Sequence, residues 1–221
     1  MLLAIEGIDG SGKGTQATRL AETARGRGHS VAVFSFPTYD GNPFSRAIGD
    51  YLNGEFGGVD EVHPELAAML YAADRFHARG DLLAALEERD LVVCDRYVGS
   101  NAAHQGAKLT GTAREHLLDW LEEVEYGELA LPRPSLVVLL DAPVALARRL
   151  VGLKTARAYT TLEADIHEAD AGHSGATRDL YLDLARRHGW LVVATEGDDG
   201  EPRDVARVGD EIWAAVEPLL A

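Results

Sequence analysis

The residues best suited to chemistry lie near the start of the chain, in the stretch GIDGSGKGT at residues 7–15. Its spacing matches the G-x-x-x-x-G-K pattern of a phosphate-binding loop, in which glycines let the backbone curl until its N–H groups face phosphate oxygens. Lys13 would bridge the terminal phosphates of a nucleotide. The alternative is a glycine-rich turn with a surface lysine. Gly14 replaces the usual Ser or Thr ligand of Mg²⁺, so we expect a metal held mostly through water and nucleotide oxygens, with Thr15 meeting an inner phosphate.

A second candidate site follows the apolar run at residues 91–94, where Asp95 and Arg96 are neighbours. Ligands of parallel sheets bind outside the carboxyl ends of the strands. A carboxylate at such a place reaches a metal-bound water, and an arginine grips a phosphate with two hydrogen bonds. A structural ion pair at a strand end is the competing interpretation. Cys94 is expected to be an inert core thiol.

Two further pairs of side chains are spaced about one helical turn apart. Tyr71 and Arg75 would share one face of a helix, where an aromatic ring beside a planar donor suits a flat base that carries a carbonyl. A core tyrosine, with an arginine paired to a neighbouring acid, explains the same spacing equally well. Asn101 and His104 follow the Asp-Arg pair closely, and His104 alone indicates nothing specific.

Five short apolar runs predict the strands that must position these residues, and their lack of strict alternation is typical of strands buried on both faces. Stretches with helical spacing lie between them, which indicates a parallel sheet covered on both sides. We therefore expect an α/β fold, with a five-stranded parallel sheet flanked by helices on both faces, in a single domain over residues 1–221. Residues 151–175 are poor in large apolar side chains and predict a mobile flap or a long surface connection. The predicted strands are residues 2–5, 31–36, 91–94, 136–140 and 191–194, and the predicted helices are 15–27, 64–88, 112–124, 143–150, 178–188 and 205–219.

The composition of the chain limits the classes of partner that it is expected to bind. The chain has 21 Lys and Arg against 36 Asp and Glu, a formal net charge of −15, which disfavours binding to nucleic acid or to an anionic membrane. The apolar run at residues 136–140 is too short to span a membrane, and residues 1–5 are too short for a signal peptide. One cysteine allows no disulfide within the chain. We expect an intracellular soluble protein that holds any anionic substrate by local basic clusters.

Four short motifs stand in a specific order along the chain. They are EGIDG at residues 6–10, FPTY at 36–39, YAADR at 71–75 and DRYVGSN at 95–101. With the phosphate loop they resemble the thymidylate kinases, a family of P-loop nucleoside monophosphate kinases. The resemblance implies a P-loop NTPase fold with a small flap (LID) at roughly residues 148–172. It also implies a cytoplasmic homodimer that uses Mg²⁺ and transfers the γ-phosphate of ATP to dTMP in dTTP biosynthesis.

On the phosphate side, the resemblance implies that Arg96 holds the dTMP phosphate, with Asp95 beside it and reaching Mg²⁺ through water. Asp9 would meet the 3′-hydroxyl of the sugar or the acceptor side of the site. At the place of Tyr39 some members carry Arg, and a tyrosine there still hydrogen-bonds the phosphate without adding charge. The predicted ATP-binding residues are Gly7, Asp9, Gly10, Ser11, Gly12, Lys13, Gly14 and Thr15.

On the base side, the resemblance implies that Phe36 and Tyr71 flank the thymine, Tyr71 standing where the family often has Phe. Arg75 would donate to a thymine carbonyl, and Asn101 would read the base edge. His104 falls where an aromatic residue commonly crowds the sugar 2′ position and disfavours ribonucleotides. The predicted dTMP-binding residues are Asp9, Phe36, Pro37, Tyr39, Tyr71, Arg75, Arg96, Asn101 and His104.

The phosphate loop itself contains no added basic residue. Some family members place one where Gly10 and Ser11 stand here, and the branch with an uncharged loop uses arginines of the flap. Arg157 is our first candidate for this role and Arg149 the second, and solvated flap charges are the alternative. The predicted catalytic residues are Lys13, Asp95, Arg96, Arg157 and Arg149.

Two other functions remain open from the sequence. One is a kinase on the same scaffold that acts on dUMP, CMP, AMP or a deoxynucleoside, and the last of these needs a base such as Asp95 or Glu6. The other is a nucleotide-binding regulatory protein without turnover. Flap arginines beside a complete phosphate loop argue against it, because binding alone does not require them.

Overall fold

The fold is described from a computed structural model, which defines residues 1–38, 41–58, 61–152 and 171–220. Within these residues one sheet is built from β1 (Leu2–Glu6), β2 (Val31–Ser35), β3 (Leu91–Asp95), β4 (Leu136–Asp141) and β5 (Leu191–Ala194). All neighbouring strands are parallel, and their order is β2-β3-β1-β4-β5. The predicted five-stranded parallel sheet is confirmed.

Helices connect the strands and differ from the predictions in three places. The predicted helix at residues 64–88 is wrong as a single element, because Ala78 ends one helix and caps the next. Two helices without a predicted counterpart lie at Pro43–Leu52 and Val98–Gly106. None of the described helices is long and apolar enough to cross a membrane. In chain order the helices are α1 (Lys13–Gly26), α2 (Pro43–Leu52), α3 (Pro64–His77), α4 (Arg79–Glu88), α5 (Val98–Gly106), α6 (Gly111–Glu122), α7 (Val144–Gly152), α8 (Ala171–His188) and α9 (Val205–Val216), with a π-helix at Glu123–Glu128 and a short 3₁₀ helix at Glu217–Leu219.

The strands bury side chains on both faces of the sheet. Leu3 and Ile5 of β1 pack on one face in a cluster that includes Ile212 of α9. Leu2 faces the other side, in a cluster with Leu82 of α4 and with Cys94 of β3, whose thiol is fully buried. Successive strand residues point to opposite faces, so two covered faces require the continuous apolar runs seen in the sequence.

The strand order places the two candidate sites side by side at the carboxyl ends of β1 and β3. β1 and β3 are neighbours, and Ile5 of β1 lies opposite Asp95 of β3. Both strands run in the same direction, so the loop after Glu6 and the residues after Asp95 leave the sheet side by side. The carboxyl ends of the strands are the usual place for a ligand in an open parallel sheet.

Candidate active site

The loop between β1 and α1 is shaped by its glycines. Gly10 and Gly12 have φ angles of 84° and 92°, in the left-handed region that glycine adopts without strain. Gly10 also has no room for a side chain, because a Cβ there would overlap the carbonyl oxygen of Ala147 in α7. The loop returns to the N-terminus of α1, where free N–H groups and the helix dipole favour an anion.

Lys13 is held inside this loop. Only 6% of it is exposed, and its Nζ donates to the carbonyl oxygen of Ile8 at 2.8 Å. Burial, together with the nearby charge of Arg96, lowers the pKa of Lys13 from 10.5 to about 8. The ammonium group therefore stands where the curled backbone would receive a phosphate.

Asp95 and Gly14 face each other at the start of α1. A Cβ on Gly14 would lie 3.0 Å from Oδ2 of Asp95, so the missing side chain leaves room for the carboxylate. Oδ1 of Asp95 is buried and has no hydrogen-bond partner among the described residues. A buried carboxylate oxygen without a partner suits a hydrated Mg²⁺, which prefers oxygen ligands and keeps several waters. No cluster of three or more His, Cys, Asp or Glu side chains forms a metal cage in the described parts of the chain.

Arg96 connects the end of β3 to the phosphate loop. Its Nη2 donates to the Asp9 carboxylate, and its Nη1 donates to the carbonyl of Gly7 at 3.3 Å and to Ser100 Oγ at 3.2 Å. Arg96 pairs with Asp9 of the phosphate loop and not with its neighbour Asp95, so an ion pair does form at this strand end, and the binding of a phosphate by Arg96 stays a prediction. The Arg96 backbone has a φ of 65°, a conformation that costs about 1–2 kcal/mol outside glycine and is found at functional sites.

Asp9 remains a charged group in this setting. Burial would raise its pKa, but the charges of Arg96 and Lys13 hold the pKa of Asp9 well below its usual range. Asp9, Lys13 and Arg96 form one charged group at the carboxyl ends of β1 and β3. A carboxylate next to two cations keeps the guanidinium fork oriented before a phosphate binds.

The Glu6 carboxylate is connected to Arg96 through the Ser100 hydroxyl. This carboxylate is fully buried and accepts from the backbone N–H of Tyr97 at 2.9 Å and from Ser100 Oγ at 2.5 Å. Burial raises the pKa of Glu6 above its ordinary value. A Cβ at Gly99 would lie 2.8 Å from Glu6 Oε1, so the glycine lets α5 approach the carboxylate. Ser100 thus links Glu6 to the Arg96 guanidinium.

The segment after β2 is tied to α3 by Asp74. Its two carboxylate oxygens accept from the N–H of Thr38 at 2.9 Å and from the Thr38 hydroxyl at 2.6 Å. Asn42 Nδ2 donates to the same carboxylate at 2.6 Å. The peptide bond between Phe36 and Pro37 is cis. The buried ring of Phe36 belongs to the apolar cluster of Leu2 and Cys94 and lies 6.1 Å from the ring of Tyr97, which follows Arg96.

Arg75 forms a buried ion pair with Glu125. Its Nε and Nη2 donate to the two Glu125 oxygens at 2.6 and 2.7 Å, and the two side chains are 2% and 0% exposed. Although burial opposes the charge, Glu125 raises the pKa of Arg75. Asn101 Nδ2 donates to the same carboxylate at 2.8 Å. The alternative interpretation of Arg75, paired with an acid, is confirmed, and its contact with a base stays a prediction.

Comparison with known proteins identifies the family. A family model described as thymidylate kinase matches residues 5–199. The thymidylate kinase of Mycobacterium tuberculosis is 34% identical over 206 residues, which cover 90% of this chain and 94% of that protein. The chain belongs to the thymidylate kinase family.

Other relatives agree over the full length. The thymidylate kinase of Thermomicrobium roseum is 32% identical over 221 residues, covering 99% of this chain and 95% of that protein. A solved structure of thymidylate kinase from Candida albicans superposes with a TM-score of 0.74 at 21% identity, covering 98% of this chain and 91% of that one. The P-loop NTPase fold predicted from the sequence is confirmed, and as a thymidylate kinase family member the chain is a phosphotransferase.

The structure brings most of the predicted residues of this thymidylate kinase family member into two connected groups. The phosphate loop, Asp9, Lys13 and Arg96 form one group, and Arg75 and Asn101 form the other. Helix α5 connects the two groups, because Ser100 of this helix accepts a hydrogen bond from Arg96 of the first group and the adjacent Asn101 belongs to the second, where it donates to Glu125. Tyr39 and Arg157 lie outside the described residues, as does most of the predicted flap.

The remaining predicted residues lie around these groups. Nε2 of His104 is 3.3 Å from Nη1 of Arg96, and its ring meets Tyr181 edge-on at 6.0 Å. Tyr71 is half-buried and packs against the apolar cluster of Ile48 and its neighbours. Arg149 forms an exposed ion pair with Glu201, with N–O distances of 2.7 and 3.3 Å.

Two buried acids of this thymidylate kinase family site were missed from the sequence. Asp74 stands inside the YAADR motif, directly before Arg75, and its position was the available signal. Glu125 lies in an acidic stretch with Glu122, Glu123 and Glu128, a pattern typical of a solvated face. Only the fold shows that one member of that stretch points inward.

Proposed function

We propose that this chain transfers the γ-phosphate of ATP to dTMP, giving ADP and dTDP for nucleotide biosynthesis. The observation that carries the proposal is the hydrogen bond from Arg96 to the Gly7 carbonyl at 3.3 Å, together with the ion pair between Arg96 and Asp9. The proposed ligand of the acceptor phosphate is thereby attached to the loop proposed to hold the donor phosphates. Phosphoryl transfer depends on such alignment and on neutralising charge.

No general base is needed for this reaction. The attacking oxygen belongs to the dTMP phosphate, which is largely ionised near neutral pH because its second pKa is about 6. Glu6, a base that a deoxynucleoside kinase would need, is fully buried and occupied by Tyr97 and Ser100. These contacts favour a monophosphate acceptor over a nucleoside acceptor.

Charge at the transferring group would be met from several sides. Lys13 reaches the donor phosphates, Arg96 holds the acceptor phosphate, and Arg157 of the flap is proposed to approach the transition state. Mg²⁺, when bound, would offset the negative charge of the donor phosphates. Asp95 would hold it through water, which the partnerless Oδ1 supports.

The base side is proposed to receive thymine. Phe36 and Tyr71 would flank the ring, while Arg75 and Asn101 would meet its polar edge. Both polar side chains are already oriented by one carboxylate. For the sugar, the proposed neighbours are Asp9 at the 3′-hydroxyl and His104 at the 2′ position, with Pro37 and Tyr39 completing the acceptor site.

We also propose a homodimer that works in the cytoplasm, where ATP and free monophosphates are available. Leu66, Met69 and Phe76 are 66%, 38% and 49% exposed on α3, and their spacing places them along one side of the helix. An apolar stripe of this kind is typical of an interface. Sedimentation analysis should give a dimer for the unaltered chain and a monomer for Leu66→Asp, whereas an unchanged mass would place the interface elsewhere.

The test of the activity is ATP consumption with Mg²⁺ and a panel of monophosphates. We expect dTMP to be phosphorylated fastest, dUMP more slowly and AMP near background. A folded sample that binds ADP but leaves dTMP unchanged would contradict the proposal. Faster turnover of CMP or AMP would favour another kinase on this scaffold.

A further inference from the structure

The polypeptide beyond α6 contains an unusual helical turn. The helix continues past Glu122 as a π-helix over Glu123–Glu128, and the N–H of Leu129 donates to the Val124 carbonyl, five residues earlier, at 2.8 Å. Such wide turns are rare and often occur at functional sites. Glu125 is the buried residue of this π-helix, while Glu123 and Glu128 are exposed. The wide turn therefore delivers one carboxylate into the interior.

Glu125 holds two side chains of the proposed base site at once. Its Oε1 accepts from Arg75 Nη2 at 2.7 Å and from Asn101 Nδ2 at 2.8 Å. The second hydrogen of the Asn101 amide is donated to the Ala68 carbonyl at 3.0 Å. Both amide hydrogens are thus engaged. Turning the amide over would break both hydrogen bonds and place Oδ1 of Asn101 against the acceptor oxygens of Glu125 and Ala68.

This arrangement leaves Asn101 with a fixed acceptor. Oδ1 of Asn101 is buried and has no hydrogen-bond partner among the described residues. Arg75 carries only donors, and its pairing through Nε and Nη2 leaves the Nη1 group outside the ion pair. The site therefore presents a donor from Arg75 and an acceptor from Asn101, each oriented by the same carboxylate.

We propose that Glu125 is a positioning residue for base selection, holding Arg75 and Asn101 as a donor and acceptor pair that accepts an imide pyrimidine and rejects cytosine. Thymine and uracil offer the O4 acceptor beside the N3–H donor. Cytosine offers an amino donor beside an N3 acceptor, so both contacts would be repulsive. A polar site that a ligand leaves unpaired discriminates strongly against that ligand. The inference rests on the proposed dTMP kinase activity and adds the group that sets its base preference.

The test is Glu125→Gln, with Glu128→Gln as the matched control on the exposed side of the same turn. kcat and KM are measured for dTMP, dUMP and dCMP, with KM for ATP as the reference for the phosphate loop. A glutamine supplies one acceptor oxygen instead of two and adds a donor, which allows the Asn101 amide to turn over. We expect the dTMP to dCMP ratio of kcat/KM to fall about 10- to 100-fold, mainly through KM for dTMP. KM for ATP should not change, and Glu128→Gln should behave as the unaltered chain.

The outcomes separate this inference from the proposed activity. If the unaltered chain does not phosphorylate dTMP, the proposed activity fails before any variant is compared. If Glu125→Gln loses activity on all pyrimidines equally, or keeps the original dTMP to dCMP ratio, the positioning role is overturned. If the absence of cooperative unfolding shows that Glu125→Gln is not folded, Glu125→Asp is tested instead. Aspartate keeps the charge but has a shorter side chain, and a lower dTMP to dCMP ratio of kcat/KM is again expected. Failure of both variants to fold would make Glu125 a determinant of folding and would also overturn the role.

Discussion

The Arg96 guanidinium is bound to the Asp9 carboxylate, and this pair joins the end of β3 to the phosphate loop. The same guanidinium donates to the Gly7 carbonyl at 3.3 Å. Reacting groups in phosphoryl transfer must be aligned within a few ångströms, and small displacements cost much of the rate. The pair thereby sets the separation between the proposed acceptor and donor phosphates before either is bound.

Arg96→Lys should separate charge from geometry at this position. Lysine keeps the positive charge but loses the planar fork that bonds Asp9 and Gly7 together. We expect kcat/KM for dTMP to fall roughly 100-fold or more, whereas the Kd for ADP, measured by titration calorimetry, should change little. Arg27→Lys, at an exposed ion pair with Glu217, is the control. A loss of ADP affinity as large as the loss of dTMP turnover would contradict the assignment.

The two flap candidates should respond differently to substitution. Arg157→Ala is expected to lower kcat by about 10³- to 10⁵-fold with little effect on ATP affinity, because an arginine at the transferring phosphate acts mainly in the transition state. Arg149 instead pairs with Glu201 at the surface, and exposed pairs contribute little. Arg149→Ala and Glu201→Ala should therefore give similar, small changes in kcat. A large loss confined to Arg149→Ala, with normal turnover in Arg157→Ala, would exchange the two roles.

Nucleotide affinity should depend on pH through Lys13. Its pKa of about 8 in the free protein lies below the ordinary 10.5, and phosphate oxygens around it favour the charged amine. ADP binding should therefore take up a proton, and the affinity should fall as the pH rises above about 8. Calorimetry at pH 8.5 in two buffers of different ionisation enthalpy measures this uptake. Lys13→Arg stays charged and should bind without it, so equal uptake by both proteins would assign the proton to another group.

The same lysine links stability to pH. Between pH 8 and 10.5, the unfolded chain holds more protons at Lys13 than the folded protein does, so the contribution of Lys13 to the free energy of unfolding rises with pH in this window. Denaturant midpoints of the unaltered chain and Lys13→Met, compared at pH 7.5 and 9.5, measure this contribution. The free energy of unfolding of Lys13→Met should exceed that of the unaltered chain by less at pH 9.5 than at pH 7.5. An equal difference at the two pH values would contradict the lowered pKa of Lys13.

Gly14→Ala should impair use of the metal. The added methyl group would sit 3.0 Å from Asp95 Oδ2, so the carboxylate must shift by a few tenths of an ångström. We expect a higher Mg²⁺ concentration for half-maximal rate and a several-fold lower kcat. Gly26→Ala, at the other end of α1 where a Cβ meets nothing within 4 Å, is the control. Equal Mg²⁺ dependence in both variants would separate Asp95 from the metal.

The sheet was predictable because strands buried on both faces must be apolar throughout, and each of the five predicted strands is present. Helix α2 could have been found, since Asn42 and Ser45 form a capping box around Pro43, a start signal that the sequence displays. Helix α5 contains Gly99 and Gly106, which weaken helix propensity, and it depends on packing against Glu6. The break at Ala78 lies two residues before Gly80, a weak helix former that was an available signal for it.

In the site, the phosphate loop and Arg96 were predictable because spacing and strand ends determine them. The ion pair between Asp9 and Arg96 was not predictable, because it depends on β1 and β3 being neighbours in the sheet. Glu125 was hidden for another reason: a local acidic pattern cannot reveal that a π-helical turn directs one carboxylate inward. The long-range ion pair from Arg75 to Glu125 follows from the fold alone.

The close approach of Gly10 to the Ala147 carbonyl limits how this sequence can evolve. Any side chain at position 10 would have to push against the backbone of α7, so substitution there requires a compensating change in a second segment of the protein. A positive charge acquired at position 10 would therefore depend on such a second change, and alleles at position 10 should be strongly epistatic with those that reshape α7.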